Sequence, residues 1–317
     1  MTIRVAVLDD YQDIARRYGD WKRLPPTAEL TVFTDHLSRH DALVERLEPF
    51  EVVCAMRERT PFPRELLSRL PNLRLLVTTG RGNPSIDMEA ARELGITVSG
   101  TASNGPPTAE LTWGLILALV RRIPAEDHAV RSGGWQHTVG GDLHGRTLGV
   151  LGLGRLGARV AAVGNAFGMR VLAWSTNLTA EAAAEHGAAR VEKDELLSRA
   201  DIATIHLKLG DRTRDLIGAR ELELLGPGGY LVNTSRGPIV DEAALLAALR
   251  SGTIAGAGLD VYDTEPLPEG HPLRTAPNTV LTPHIGYGTH ATYEVFFQET
   301  VEDVVSFIEG TPVRVLN

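Results

Sequence analysis

Short β-branched apolar runs alternate with helical periodicity along the whole chain, and no other property of the sequence narrows the fold as far. The runs are IRVAVLD, LTVF, EVVCAM, LRLLVTT, ITVSG, TLGVLGLG, RVLAWS, IATIHL, GYLVNTS, GAGLDVY and TVLTPH. Strands joined by helix-length connections pair in parallel, and a parallel sheet is covered by helices on both faces. The pattern therefore predicts an α/β protein with doubly wound parallel sheets. At 317 residues the chain exceeds what one core usually supports, so two such domains are expected. The turn formers SGTASNGPP at 99–107 mark the seam. The helix TAELTWGLILALVRR that follows has apolar residues in most directions and should be buried on most sides. ETVEDVVSFIEG reads as an amphipathic helix stopped by Gly310 and Pro312.

Composition excludes several partners. A formal net charge of -8 and a sequence pI near 5.7 leave no electrostatic footprint for nucleic acid. The apolar run LTWGLILALV at 111–120 is half the length of a membrane span, so no membrane partner is expected. Cys54 is the only cysteine, which excludes an intramolecular disulfide and fits a reducing compartment. The start MTIRVAVLDD lacks the shape of a signal peptide. A cytoplasmic location is expected.

The segment TLGVLGLGRLGARVAAVGNAFGMRVLAWS at 147–175 carries G-x-G-x-x-G between a strand-like and a helix-like run. In that context the motif is a dinucleotide fingerprint. Gly152 allows the tight turn, Gly154 lets backbone approach a pyrophosphate, and Gly157 lets the helix pack against the strand; Arg155 and Leu156 open that helix. A site selecting NAD usually has Asp or Glu after the second strand. Here Trp174 is followed by Ser175, Thr176 and Asn177. Neutral residues do not repel a 2'-phosphate, and Lys208 and Arg212 in HLKLGDRT follow a later strand. The cofactor is expected to be NAD or NADP, with NADP favoured.

Three further segments put polar residues after strands: Arg236 in YLVNTSRGPIVDE, Asp260 and Glu265 in GLDVYDTEP, and His284 in TVLTPHIG. Strand C-terminal ends of a parallel sheet share one edge, where ligands bind. An isolated histidine, arginine or glutamate in such positions more often packs or pairs than reacts. Their joint occurrence beside a dinucleotide turn points instead to one site. Among the remaining histidines, His128, His137, His144, His186, His271 and His290 have no metal-ligand spacing, and no metal is expected.

The combination GLGRLG, NTSRG, DVYDTEP and TPHIG resembles the D-isomer-specific 2-hydroxyacid dehydrogenase family, which includes phosphoglycerate dehydrogenases and glyoxylate or hydroxypyruvate reductases. The resemblance covers almost the whole chain. It implies a flavodoxin-like substrate domain from 1–103 with 287–317 and a dinucleotide-binding Rossmann domain from 104–286, with the active site between them in a homodimer. It implies Arg236, Glu265 and His284 as the catalytic set and Asp260 near the nicotinamide amide. Thr108, His206, Lys208, Ser175, Thr176, Thr234 and Ser235 are further candidates for the cofactor. The chemistry agrees with these roles. Hydride delivery to a carbonyl carbon builds charge on oxygen, so a proton donor must stand nearby. His284 can be that donor, Glu265 its orienting carboxylate, and the guanidinium of Arg236 a bidentate hold on a substrate carboxylate.

The resemblance also implies that the turn in LLVTTGRGNPSID meets the substrate, which makes Gly80, Arg81, Gly82 and Asn83 candidates, and MRERT adds Arg57 and Arg59. Arginines at such a place suit an acidic substrate. Arg81, Asn83 and Pro84 depart from the family's usual residues, as does Tyr287, which should narrow or reshape the pocket. Glu265 argues against a formate dehydrogenase of the same fold, in which glutamine is expected. Phosphoglycerate oxidation stays open as an alternative, as does a cofactor-sensing, corepressor-like protein that needs no turnover.

Overall fold

The computed structural model describes residues 2–103, 105 and 107–317. Contacts divide the chain into two compact units, Met1–Asn104 with Gly288–Asn317, and Gly105–Tyr287.

In the first unit, strands β1 (Ile3–Val7), β2 (Ala28–Val32), β3 (Val52–Ala55), β4 (Leu75–Thr78) and β5 (Thr97–Gly100) form one sheet in the order β2-β1-β3-β4-β5. Every pairing is parallel. Both faces are covered, as the continuous apolar runs require. On one face Ala6, Val53, Ala55, Leu76 and Val98 join Leu43, Leu47, Phe62, Leu66 and Leu67 in a core. The helix His290–Ile308 packs along β4 and β5, burying Tyr293, Phe296, Phe297, Val301 and Val304. It begins ahead of the amphipathic stretch seen in sequence, because Thr289 caps it by accepting from the Thr292 amide, and Gly310 at φ 82° ends it.

In the second unit, β6 (Thr147–Leu151), β7 (Arg170–Trp174), β8 (Ala189–Arg190), β9 (Ile202–Ile205), β10 (Tyr230–Asn233), β11 (Gly256–Leu259) and β12 (Thr279–Leu281) lie in the order β12-β11-β10-β9-β6-β7-β8, again all parallel. Successive residues alternate between two cores: Leu148, Val150, Val171, Ala173, Ile202 and Val232 point to one, Leu151, Leu172, Ala203, Ile205, Leu231 and Leu259 to the other. The helix Pro107–Val120 buries Trp113, Leu115, Ile116 and Leu119 and packs on the helix Arg155–Ala166 and on β10, β11 and β12. Trp113 Nε1 donates to the Val160 carbonyl at 3.2 Å, which fixes the two helices together. Strand order reverses at the β9–β6 neighbours, so a crevice for ligands opens there at the strands' C-terminal ends.

Candidate active site

Six strand ends of the second unit deliver the residues singled out in sequence to one edge. Along that edge lie His284 after β12, Asp260 and Glu265 after β11, Arg236 after β10, His206 and Lys208 after β9, Gly152–Gly157 after β6, and Ser175 and Thr176 after β7. With neighbouring strands about 4.8 Å apart, this row is long enough for an extended dinucleotide.

At one end of the row, His284 Nδ1 lies 2.6 Å from Glu265 Oε2. Because Glu265 accepts there, Nδ1 carries the proton donated to it and Nε2 faces away from the pair. The other oxygen of Glu265, Oε1, accepts from the Tyr262 amide at 2.9 Å. The Tyr262 hydroxyl in turn donates to the Thr282 carbonyl at 2.9 Å, tying the end of β12 to the loop that carries Glu265. Burial, with the Asp260 and Glu265 carboxylates nearby, pushes that phenol well above its ordinary range, so it stays a donor. His284 itself sits at φ 53°, a left-handed conformation that costs a non-glycine residue on the order of 1 kcal/mol.

Asp260 is 1% exposed and holds the loop after β12. Its Oδ1 accepts from Thr282 Oγ1 at 2.6 Å and from the Ile285 amide at 2.9 Å, and its Oδ2 from the Gly286 amide at 2.8 Å. Burial nonetheless pushes the carboxyl above the usual carboxylate range, the hydrogen bonds and His284 pulling the other way. Thr108 Oγ1 donates to the Gly286 carbonyl at 3.1 Å, so this cofactor candidate also braces the same loop.

Arg236 follows an Asn-centred turn. Asn233 Oδ1 accepts from the Ser235 amide at 3.0 Å, and Asn233 Nδ2 donates to the Arg236 carbonyl at 2.8 Å. Ser235 Oγ donates to the Ile205 carbonyl at 2.8 Å, and Thr234 Oγ1 meets Thr112 Oγ1 at 2.9 Å. Arg236 Nη1 donates to the Ser235 carbonyl at 2.6 Å, which folds the guanidinium back along its own turn. Gly237 must be glycine, because a Cβ there would stand 2.1 Å from the Tyr262 carbonyl carbon.

At the other end, the residues fit a dinucleotide. Gly152 has φ 100° and its amide donates to the Trp174 carbonyl at 2.8 Å; a Cβ would lie 2.6 Å from the His206 carbonyl oxygen. Gly154 caps the helix Arg155–Ala166, and a Cβ built on it meets no atom within 4 Å, which leaves a cradle beside the helix amides where a pyrophosphate can approach. A Cβ on Gly157 would be 2.0 Å from the Gly152 carbonyl oxygen, so the helix reaches the turn only through glycine. His206 Nε2 meets Thr204 Oγ1 at 3.0 Å, and burial pushes the imidazole down to about 4, keeping it neutral. The turn after β7 presents Ser175, Thr176 and Asn177, with the Leu178 amide donating to the Ser175 carbonyl at 3.1 Å and no carboxylate at those three positions. Lys208 is anchored through its carbonyl, which accepts from Thr213 Oγ1 at 2.7 Å.

The profile of the D-isomer specific 2-hydroxyacid dehydrogenase NAD binding domain matches residues 113–286. The chain belongs to the D-isomer specific 2-hydroxyacid dehydrogenase family. This dehydrogenase is 44% identical to a glyoxylate reductase of Aeropyrum pernix over 78% of its own length and 76% of that protein's. It is 37% identical to a D-3-phosphoglycerate dehydrogenase of Archaeoglobus fulgidus, covering 88% of this chain but 53% of the longer relative. A phosphoglycerate oxidoreductase from Vibrio cholerae superposes with a TM-score of 0.92 at 37% identity, covering 98% of this chain and 100% of that one. The dehydrogenase is thus an oxidoreductase that uses a nicotinamide cofactor.

The remaining candidates lie in the first unit, where they interlock. Arg57, at φ 52°, receives a hydrogen bond on its carbonyl from Asn83 Nδ2 at 2.7 Å and donates from Nη1 to the Thr79 carbonyl at 3.1 Å. Asn83 is 4% exposed; its Nδ2 also donates to Thr78 Oγ1 and its Oδ1 accepts from the Ser85 amide, so the side chain builds the turn from within. Gly80 has φ 98° with its amide on Thr101 Oγ1 at 2.8 Å, while Arg81 and Gly82 are exposed. Arg59 donates to the Asp9 carbonyl and stacks its guanidinium 4.5 Å over the Tyr11 ring.

Sequence reasoning passed over Tyr262, Thr282 and Asn233. Tyr262 lies inside DVYDTEP, but the strand pattern gives no sign that its amide serves Glu265 and its hydroxyl β12. Asn233 did carry a signal, since Asn at a strand end followed two residues later by Ser favours this turn. Among the described residues no group of three or more His, Cys, Asp or Glu is arranged to hold a metal ion, and no helix is long and apolar enough to cross a membrane.

Proposed function

We propose that the dehydrogenase interconverts a small 2-oxo acid and its D-2-hydroxy acid, with His284 as the acid-base group, Glu265 as its partner and Arg236 as the hold on the substrate carboxylate. The observation that carries this is the 2.6 Å His284–Glu265 pair at the end of the strand-edge row. Glu265 keeps Nδ1–H directed at itself, so the second proton of the imidazolium form sits on Nε2 and is the one handed to the developing alkoxide, which leaves the ring neutral. The reduced nicotinamide supplies the hydride. Arg236 engages the carboxylate through its guanidinium fork and holds the carbonyl carbon for attack. In the first unit, the exposed Arg81–Gly82 step is our candidate for a further contact to the substrate.

The cofactor preference we propose is NADPH over NADH, supported by Ser175, Thr176 and Asn177 where a ribose-binding carboxylate would repel a 2'-phosphate. Consumption of NADH and NADPH side by side, with glyoxylate, hydroxypyruvate, pyruvate and bulkier 2-oxo acids, tests both statements. Turnover that collapses in His284→Ala while cofactor binding persists supports the assignment; a variant that turns over like wild type removes His284 from its role, and a large advantage for NADH removes the cofactor preference.

Oxidation of phosphoglycerate is a second reading, favoured by Arg57, Arg59 and Arg81 after β3 and β4 and by the phosphoglycerate-named relatives. Phosphohydroxypyruvate outperforming hydroxypyruvate by tenfold or more in kcat/KM would select it. For assembly we propose a homodimer. Ile123, Val130, Trp135 and Val139 are exposed at 51%, 54%, 73% and 96%, an apolar density along 123–139 that suits a second copy. The lone buried Cys54 suits a reducing compartment, and we assign the enzyme to the cytoplasm.

A further inference from the structure

We infer that Tyr287 is a positioning residue for the reaction: its ring, packed edge-to-face on His284, sets the plane of the imidazole that transfers the proton. This rests on His284 being the acid-base group. The ring centroids are 5.9 Å apart with planes at 68°, the geometry in which aromatic pairs attract beyond simple burial.

Rings three residues apart can meet by accident of chain connection, but the backbone linking these two is held at every step. His284 adopts φ 53°, which turns the chain back on itself. The amides of Ile285 and Gly286, the two residues between the rings, donate to the two oxygens of Asp260 at 2.9 and 2.8 Å. The Gly286 carbonyl accepts from Thr108 Oγ1 at 3.1 Å. A Cβ at Gly286 would lie 3.1 Å from both Asp260 Oδ2 and Thr108 Cγ2, so the loop fits its clamp with nothing to spare. The ring pair is therefore set by the scaffold.

Glu265 and Tyr287 constrain different things. A single hydrogen bond at Nδ1 selects the proton's position but leaves the ring free to rock about the Nδ1–Oε2 line, because torsions to flat rings are broad. A second aromatic face closes that freedom and keeps Nε2 on one bearing. Misdirection of the donor lowers the rate of proton transfer without weakening the binding of either ligand.

Tyr287→Leu, Tyr287→Ala and Tyr287→Phe, measured beside His284→Ala for kcat, KM, cofactor affinity and thermal midpoint, test the inference. The expected result is a roughly three- to tenfold fall in kcat for the Leu and Ala variants. KM, cofactor affinity and melting should stay close to wild type, and most of the lost turnover should return in Tyr287→Phe, which keeps the ring. Wild-type kcat in Tyr287→Leu would overturn the inference, and so would a Phe variant as slow as the Leu variant. A loss that tracks weaker cofactor binding or a lower melting midpoint would overturn it too, since the role would then be structural. If His284→Ala itself kept full turnover, the acid-base assignment would fail instead, an outcome the Tyr287 variants cannot produce.

Discussion

His284, paired with Glu265 at 2.6 Å, is the side chain on which the proposed chemistry turns. Removing a positioned acid-base group costs about 10²- to 10⁴-fold in rate. We expect His284→Ala to lose turnover in that range while binding the reduced cofactor normally, as followed by nicotinamide fluorescence. Glu265→Gln keeps the shape of the pair but removes its charge, and a smaller fall, with 2-oxo acid affinity nearly unchanged, is the expected outcome. A second residue, Asp303, governs stability rather than chemistry. It is fully buried in the helix His290–Ile308, its Oδ1 accepts from Arg314 Nε at 2.9 Å, and its Oδ2 has no hydrogen-bond partner among the described residues. Burial pushes its carboxyl up to about 7, against the pull of Arg314. Since the unfolded value is near 3.8, the protonated form is favoured by folding. The contribution is fully present below about pH 4 and lost as pH rises through about 7, on the order of 2–4 kcal/mol in all. The wild type should therefore lose thermal stability relative to Asp303→Asn between pH 4.5 and 8; parallel melting curves across that window would contradict the assignment.

At the scale of elements, the strand–turn–helix at 147–166 gives two glycines different roles. Gly154→Ala points a methyl into open space beside the helix N-terminus, so the fold should hold while the cofactor Kd rises about tenfold, equal to ~1.4 kcal/mol. Gly152→Ala meets both a positive φ and the His206 carbonyl, so its melting midpoint should fall as well. Differential scanning fluorimetry with and without cofactor separates the two. The parallel order and this turn were legible in the sequence, because apolar runs and glycine spacing are local properties. The clamp on the 282–286 loop was not. Asp260 read as a residue near the nicotinamide amide; that its oxygens also hold the loop after β12 depends on β11 and β12 being neighbours. Asn83 read as part of a turn whose backbone meets the substrate, and the use of its side chain to build that turn from within was equally invisible in the sequence.

For the whole molecule, the exposed apolar residues of 123–139 predict self-association. Trp135→Glu with Val139→Asp should halve the mass seen by sedimentation, and a wild type that already sediments as a monomer would remove the dimer from the account. The sequence by itself determined the reaction class and both sheets, since strand periodicity, glycine spacing and four short motifs are written in contiguous residues. It also brought Arg236, Glu265 and His284 forward as one set, because each follows a strand and parallel strands share an edge. Only the tertiary structure decided what holds that set in register: the Tyr262 amide on Glu265, Asp260 under the His284 loop, and the ring of Tyr287 against the imidazole. These supports act over about 3–6 Å between atoms whose separation no local pattern encodes, and they exist only once neighbouring strands are packed side by side.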